Sequence, residues 1–515
     1  MRHPTLSATK IAFQFAGEIW EVPRQGGSAV RLTASGGQDG NPIFSPDGKL
    51  IAFSGSYDGN EDVYVMPAEG GIPRRLTSHP FPDVPVAWTP DGKSVIFTSS
   101  MLSNTDYPRL LSVPVGGGIP SALPFPSGTD ASFSPDGKQM AYVPTTKWEL
   151  GWKRYRGGQT APIWITSLAD SKVHAVPRKN TDDHRPMWIG DSIYYLSDPT
   201  GPVGMFRYDV LTGKEHEVIP GGGFDIKYAS SGPGAIVYER LGSLWVYDLT
   251  LHQSKQVPVS IQGDFAEVRP EFKDVTRSVH SVSISPTGKR VVVEARGWIF
   301  TVPAKKGDVR LLEGPQGLHR RDPSWSPDGK TIAYITEQGG YQSLALYDLA
   351  TSIEKRVPLG DPPAFYSEPV WSPDSKRIAY KDNRLKLWCL DVATGKSTLI
   401  DQDTYRGRTS IEPRWSPDSE WLTWSRDLPS NVTVVILHSF ATGKNTQITD
   451  GLAEAVNPIF DRGGKYLYFQ ASTDVGLGSD FEDLSSLNAH DITSSIYAVV
   501  LGKDQPNPLQ PESDE

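Results

Sequence analysis

One short string recurs along this chain and limits what it can fold into. Ser45-Pro46-Asp47-Gly48-Lys49 is echoed by Thr89-Pro90-Asp91-Gly92-Lys93, Ser134-Pro135-Asp136-Gly137-Lys138, Ser285-Pro286-Thr287-Gly288-Lys289, Ser326-Pro327-Asp328-Gly329-Lys330, Ser372-Pro373-Asp374-Ser375-Lys376 and Ser416-Pro417-Asp418-Ser419. Weaker copies stand at Ile189-Gly190-Asp191, Ser231-Gly232-Pro233-Gly234 and Asp461-Arg462-Gly463-Gly464. The period is roughly 41 to 55 residues, the range of propeller blades. Pro presets φ at the second position of a tight turn, Asp bonds its own backbone, and Gly accepts a left-handed φ at the fourth. Each copy therefore reads as a hairpin turn between a short segment such as Pro323-Ser324-Trp325 and a strand such as Thr331-Ile332-Ala333-Tyr334.

Two more strands follow before the next copy, so each period makes one four-stranded antiparallel blade. A blade cannot bury both faces by itself, and radial stacking solves that. Helical periodicity is missing between the copies, which disfavours a βαβ fold. The prediction is an all-β chain of two tandem β-propellers. Six blades are counted at 1–34, 41–77, 86–123, 130–176, 184–219 and 224–257. The rhythm breaks across 260–275, and five blades follow. The predicted domains are a six-bladed propeller over 1–262, a linker over 263–275, a second propeller over 276–502 and a Pro-rich acidic tail over 503–515.

A length of 515 residues requires at least two cores, and 49 Gly, 43 Pro and 10 % aromatics describe a turn-rich, folded chain. The net charge of −9 is spread along the sequence and leaves no basic face for phosphates, so nucleic acid is not an expected partner. No apolar run is long enough to span a bilayer, and no membrane association is expected. The N-terminus shows no leader pattern. This reads as cytoplasmic, or as periplasmic or secreted for a chain whose leader has been removed. Cys389, the sole cysteine, excludes a disulfide framework and a multi-cysteine zinc site.

Several enzymatic patterns fail on inspection. Gly92-Lys93-Ser94, Gly329-Lys330-Thr331 and Gly395-Lys396-Ser397 resemble the end of a phosphate loop, but Ala87, Ser324 and Leu390 occupy the required first glycine. Gly116-Gly117-Gly118 and Gly221-Gly222-Gly223 lack dinucleotide spacing. Asn431-Val432-Thr433 is a sequon by composition only. Asp182-Asp183-His184 reads as a polar turn before a metal site. No cofactor or metal is expected. One irregular stretch, Lys147-Trp148-Glu149-Leu150-Gly151-Trp152-Lys153-Arg154-Tyr155-Arg156-Gly157-Gly158, interrupts a blade with aromatic and cationic residues. It reads either as a packed surface loop or as a docking element for a peptide carboxylate, which Arg recognises well.

Longer strings carry a family resemblance over essentially the whole chain. Arg2-His3-Pro4, Tyr57-Asp58-Gly59-Asn60-Glu61-Asp62-Val63-Tyr64-Val65, Trp152-Lys153-Arg154-Tyr155-Arg156-Gly157-Gly158, Glu294-Ala295-Arg296-Gly297 and Thr301-Val302-Pro303-Ala304-Lys305-Lys306-Gly307-Asp308 resemble the tricorn peptidase family. The resemblance implies a six-bladed propeller, then a seven-bladed one of which about five blades are counted here, then PDZ-like and serine-peptidase domains that no region of this chain matches. It implies propellers that sieve and channel oligopeptides to and from an enclosed active site, with a basic pair gripping the peptide C-terminus. The matching position falls near Gly137-Lys138-Gln139, where Lys138 keeps a charge, and Lys153, Arg154 and Arg156 are the alternative carriers. No catalytic residue transfers. The expected partners are oligopeptides, PDZ-like and peptidase domains, and a second copy in a homo-oligomer. Two other readings stay open: a stand-alone TolB-type interaction module, and the gating propeller of a prolyl-oligopeptidase-like enzyme.

Overall fold

The computed structural model describes the chain except residues 35, 105–106, 146–155, 159, 264, 266–271, 315–316, 339, 361–362, 404–410, 431, 475–492, 508–509 and 512–515. It divides into two compact units, Met1–Arg269 and Pro270–Glu515. The described strands pair antiparallel except for one parallel pair, with one 3-10 turn at Thr276–Ser278.

The recurring string folds as its chemistry requires. In the first copy Ser45 Oγ donates to Asp47 Oδ1 at 2.7 Å, the Lys49 amide donates to the same oxygen at 3.1 Å, and the Leu50 amide donates to Ser45 Oγ at 2.9 Å. Gly48 supplies the left-handed φ of 71°. The same three bonds recur at Ser134, Ser326, Ser372 and Ser416. Where Ser replaces Gly, Ser375 and Ser419 still take φ of 61° and 64°. Each offsets that strain by accepting an amide from the preceding blade, Asp328 N and Asp374 N, both at 3.1 Å.

In the first unit six sheets stand around an axis. Their inner strands are Arg2–Leu6, Asp39–Phe44, Val84–Trp88, Asp130–Phe133, His184–Ile189 and Ile226–Gly232. Each packs on the next, and Arg2–Leu6 packs on Ile226–Gly232, so the ring closes. Closure buries Leu6, Ile11, Phe13, Trp20 and Val22 of the first blade against Ala235, Val237, Leu244 and Val257 of the sixth. The region where the sequence rhythm breaks also contributes a strand. Val259–Ile261 pairs in parallel with Gly27–Arg31, the outer strand of the first blade, and the Gly27 amide donates to Pro258 O at 2.8 Å. The last turns of the unit are thereby laced to its first sheet.

The second unit holds five described sheets, with inner strands Val279–Ile284, Arg320–Trp325, Tyr366–Trp371, Arg414–Trp415 and Glu454–Phe460. Trp371 Nε1 donates to Ser324 O and Trp415 Nε1 donates to Val370 O, both at 3.1 Å, so an inner-strand Trp ties each of these blades to the one before. Trp88 makes the equivalent bond to Ile43 O at 3.0 Å in the first unit.

Gly26 tests the lacing strand. Its φ is 96°, and a Cβ there would stand 2.3 Å from Pro258 O. Gly26→Val should displace the strand and destabilise the first unit by about 2 kcal/mol or more. Chemical denaturation should show a lower midpoint for the first unit and an unmoved one for the second.

Candidate functional site

The inner strands of the first unit carry a device that repeats in the second. His3-Pro4, Asn41-Pro42 and Arg185-Pro186 in one, and Asp322-Pro323, Glu368-Pro369 and Asn457-Pro458 in the other, each place a non-glycine residue at a φ between 48° and 56°. Pro has no amide to give the ladder, and it bars the preceding residue from the right-handed helical region. The strand responds with a bulge, and the register slips at all six places. Left-handed backbone at a bulky residue costs on the order of 1 kcal/mol, and such strain clusters at functional positions.

In the first unit the bulges lead to a closed cluster on the axis. Arg185 Nη1 stands 3.3 Å from Asp130 Oδ1, and its guanidinium lies 4.0 Å over the Tyr228 ring. The His3 ring is 5.0 Å from that of Tyr228. Arg185 is buried, yet Asp130 and Tyr228 outweigh the burial and hold its guanidinium above its ordinary value. These residues come from the first, fourth, fifth and sixth blades, and each contact joins one blade to its neighbour in the ring. Beside the cluster lies a cavity of about 410 Å³, lined by Asp130, Ser132, Arg185, Tyr228, Ser230 and Ser231 among others from the inner strands.

The predicted docking residues do not gather there. Lys138 is exposed in the turn after the inner strand of the fourth blade, with Nζ 4.0 Å from its neighbour Asp136. Arg156 lies beyond the other end of the next strand, Gln139–Val143, so the length of a strand, roughly 17 Å, separates them. Lys153 and Arg154 lie outside the described residues. Arg156 meets carboxylates of its own chain. Its Nη2 is 3.1 Å from Asp198 Oδ2, and its Nη1 is 3.7 Å from Asp182 Oδ2. Asn180 Nδ2 donates to its carbonyl, Arg178 bonds Thr181 O and Thr160 Oγ1, and the loop entering Trp164–Ser167 is thereby pinned to the fifth blade. The geometry makes Arg156 a pin at the foot of the insertion, not an open receptor.

Asp182, Asp183 and His184 knit the same corner. The Ala161 amide donates to Asp182 Oδ1 at 2.9 Å, and the Thr181 and Ser197 hydroxyls donate to Asp183 Oδ1 at 2.8 and 2.6 Å. Burial pushes the Asp183 carboxyl up to about 6 and the His184 imidazole down to about 4. Cys389 is buried, and burial pushes its thiol up to about 12, which removes it from nucleophilic chemistry.

Sequence reasoning missed this cluster. Arg185 and Tyr228 follow no repeated string, but the X-Pro dipeptide three residues before a Ser-Pro-Asp turn, as in Asp322-Pro323 before Ser326, is a readable signal for the bulges.

Two β-propeller units in tandem, the first a closed ring, define a double-propeller protein. Residues 1–253 match the tricorn protease N-terminal beta propeller domain, and residues 279–515 match the tricorn protease second beta propeller domain. The chain belongs to the tricorn protease family and corresponds to its two propeller domains. Tricorn protease homolog 1 of Streptomyces coelicolor is 24% identical over 534 residues, covering 99% of this chain and 48% of that protein. The tricorn protease homolog of Saccharolobus solfataricus is 24% identical over 518 residues, covering 97% and 46%. A crystal structure of the tricorn protease aligns at a TM-score of 0.47 and 20% identity, over 98% of this chain and 50% of that one. The chain spans about half the length of the curated relatives it matches. Among its described residues no helix is long and apolar enough to cross a membrane.

Two predictions follow from the corner that joins the fourth and fifth blades. Arg156→Ala should leave Asp182 and Asp198 facing each other uncompensated and lower the stability of the first unit by about 1 to 3 kcal/mol, while Lys138→Ala should not move it; thermal unfolding of both variants measures the contrast. The second concerns pH. Asp183, with its folded value raised, favours folding most below about pH 4 and loses that stability as pH rises through about 6. His184, with its folded value lowered, favours folding above about pH 6.5 and loses that stability as pH falls through about 4. The two slopes oppose each other in one window. Asp183→Asn should therefore make the first unit lose stability on acidification, and His184→Gln should make it gain, each by on the order of 2 kcal/mol, read by urea unfolding across that range.

Proposed function

We propose that this chain is the non-catalytic propeller part of a tricorn-type serine peptidase, sieving and channelling oligopeptides to and from a peptidase domain. The carrying observation is the axial cavity beside the Arg185, Asp130, Tyr228 and His3 cluster, in a chain whose two units match the family's two propellers. A ring of inner strands around that cavity offers a bounded path.

Within this reading Lys153 and Arg154 grip a peptide carboxylate, Lys138 at the far end of the strand Gln139–Val143 being the alternative, and Arg156 holds the foot of the insertion that carries Lys153 and Arg154. The peptidase and PDZ-like domains and a homo-oligomer are the partners, and the compartment is the cytoplasm. The alternative of a stand-alone interaction module predicts no preference for a free C-terminus.

Fluorescence anisotropy with a labelled unstructured oligopeptide distinguishes them. A free C-terminal carboxylate should bind about ten-fold or more tighter than the amidated peptide, because a charge-assisted contact contributes roughly 1.5 to 3 kcal/mol and 1.4 kcal/mol is a factor of ten. Lys153→Ala with Arg154→Ala should abolish that preference. Equal binding of both peptides would sink carboxylate recognition. Hydrolysis of fluorogenic peptides by the purified chain, blocked by a serine-directed inhibitor, would sink the non-catalytic reading.

A further inference from the structure

The inner strand of each blade stands at the end of its sheet, so one of its edges has no strand of that sheet beside it. In the first unit this edge faces the axis, where Phe44, Ser132, Pro186 and Trp188 line the cavity. A bare edge pairs readily with an extended chain that reaches it, because its amides and carbonyls recur at the spacing a further strand needs.

The amides on these edges are taken or missing. Successive residues of a strand direct their amides to opposite sides, and the Ser45 amide donates to Leu50 O of the neighbouring strand at 2.8 Å. Phe44 and Pro42 therefore face the axis. Pro42 has no amide, and the Phe44 amide donates to Thr5 Oγ1 of the blade before at 3.4 Å. In the fifth blade Pro186 and Trp188 hold the same two places, and the Trp188 amide donates to Ser132 Oγ of the fourth blade at 2.9 Å. Just before Pro186, the Arg185 amide donates to Asp130 Oδ2 at 3.4 Å. The second unit repeats the arrangement. There Pro323 precedes Trp325, whose amide donates to Ser283 Oγ at 3.0 Å, and the Glu368 amide before Pro369 donates to Asp322 Oδ2 at 3.3 Å. Pro4 and Pro85 remove an amide from the inner strands of the first and third blades. Packing of blade on blade accounts for the hydroxyl and carboxylate bonds, but not for the Pro. It gives the neighbouring blade no hydrogen bond, and in six strands it follows a residue strained to a φ between 48° and 56°.

We infer that the inner edges of the first ring refuse strand addition, so that an extended peptide on the axis finds carbonyls without the donors that would complete a ladder, and is not captured. Pro42 and Pro186 withhold one donor each, and Thr5 and Ser132 occupy the next. Refusal is a property of the edge; its use, the passage of extended peptides whatever their sequence, rests on the channelling reading.

Fluorescence anisotropy on the full chain tests it, with an amidated Val- and Thr-rich peptide and a twin N-methylated at alternate residues, which cannot pair as a strand. The wild-type chain should treat the twins alike, within about two-fold. Pro186→Ala with Ser132→Ala puts two free donors on the fifth inner strand and should hold the unmethylated peptide about ten-fold tighter than its twin. Pro186→Ala with Ser132→Thr keeps the hydroxyl and should show a smaller preference. Thermal unfolding checks that the variants fold, and Pro42→Ala with Thr5→Val repeats the test on the second blade. A wild-type chain that prefers the unmethylated peptide overturns the inference, and so does a folded double variant that treats the twins alike. Both peptides lack a C-terminal carboxylate, so a failure of carboxylate recognition leaves this result untouched and the two readings fail separately.

Discussion

Burial of one blade's apolar face against its neighbour's is the interaction from which the rest of this structure follows. A four-stranded sheet of Val, Ile, Tyr and Trp has two such faces and can cover neither, so its stability resides in the stack. In the first unit the stack returns on itself: Leu6, Phe13 and Trp20 of the first blade meet Ala235, Val237 and Leu244 of the sixth. The parallel strand Val259–Ile261 then adds backbone bonds across the seam. In the second unit the same interaction runs through five described sheets and leaves Ile284 and Ile496 in water. The same chemistry thus closes the ring of the first unit and stacks the five described sheets of the second.

The corners between blades are polar because strand ends must satisfy their amides and carbonyls wherever the chain crosses from one sheet to the next. Asp182, Asp183 and Asp198 supply acceptors at one such corner, and Arg156 balances two of them. Removal from water disfavours the charged form of each buried group, which pushes the Asp183 carboxyl up to about 6 and the His184 imidazole beside it down to about 4. The acid and the base compensate, so the corner can be buried without making the unit strongly pH dependent.

Much of the fold was legible in the sequence, since the Ser-Pro-Asp-Gly turn is a local structure whose bonds lie within six residues, and a period of such turns dictates blades. The all-β class, the tandem propellers and the family resemblance were read from those strings and from Arg2-His3-Pro4 and its companions. Features that depend on pairs distant in sequence were not legible. Arg156 read as an exposed cation because Asp182 and Asp198, some distance along the chain, meet it only once the fourth and fifth blades pack. The Arg185 and Asp130 pair is hidden for the same reason, as is the pairing of Val259–Ile261 with Gly27–Arg31. Lys153 and Arg154 fall outside the described residues, and their role rests on the proposal.

The X-Pro bulge separates the chemistry of the axis from the stability of the ring. Pro, by withholding its amide and restricting the residue before it, fixes the bulge in each of the six inner strands that carry an X-Pro pair, irrespective of what that residue is. The preceding position is therefore free to vary: His3, Asn41 and Arg185 occupy it in the first unit, Asp322, Glu368 and Asn457 in the second. Where it is charged, a local partner balances it, Asp130 for Arg185, Arg321 for Asp322 and Lys381 for Glu368. A scaffold of this kind can exchange the residues at its inner bulges while leaving every blade interface intact. The strain of a left-handed residue, on the order of 1 kcal/mol each, is small against the apolar burial of a whole blade face. Such an axis can differ in charge between the two propellers of one chain without any change in how either propeller is built.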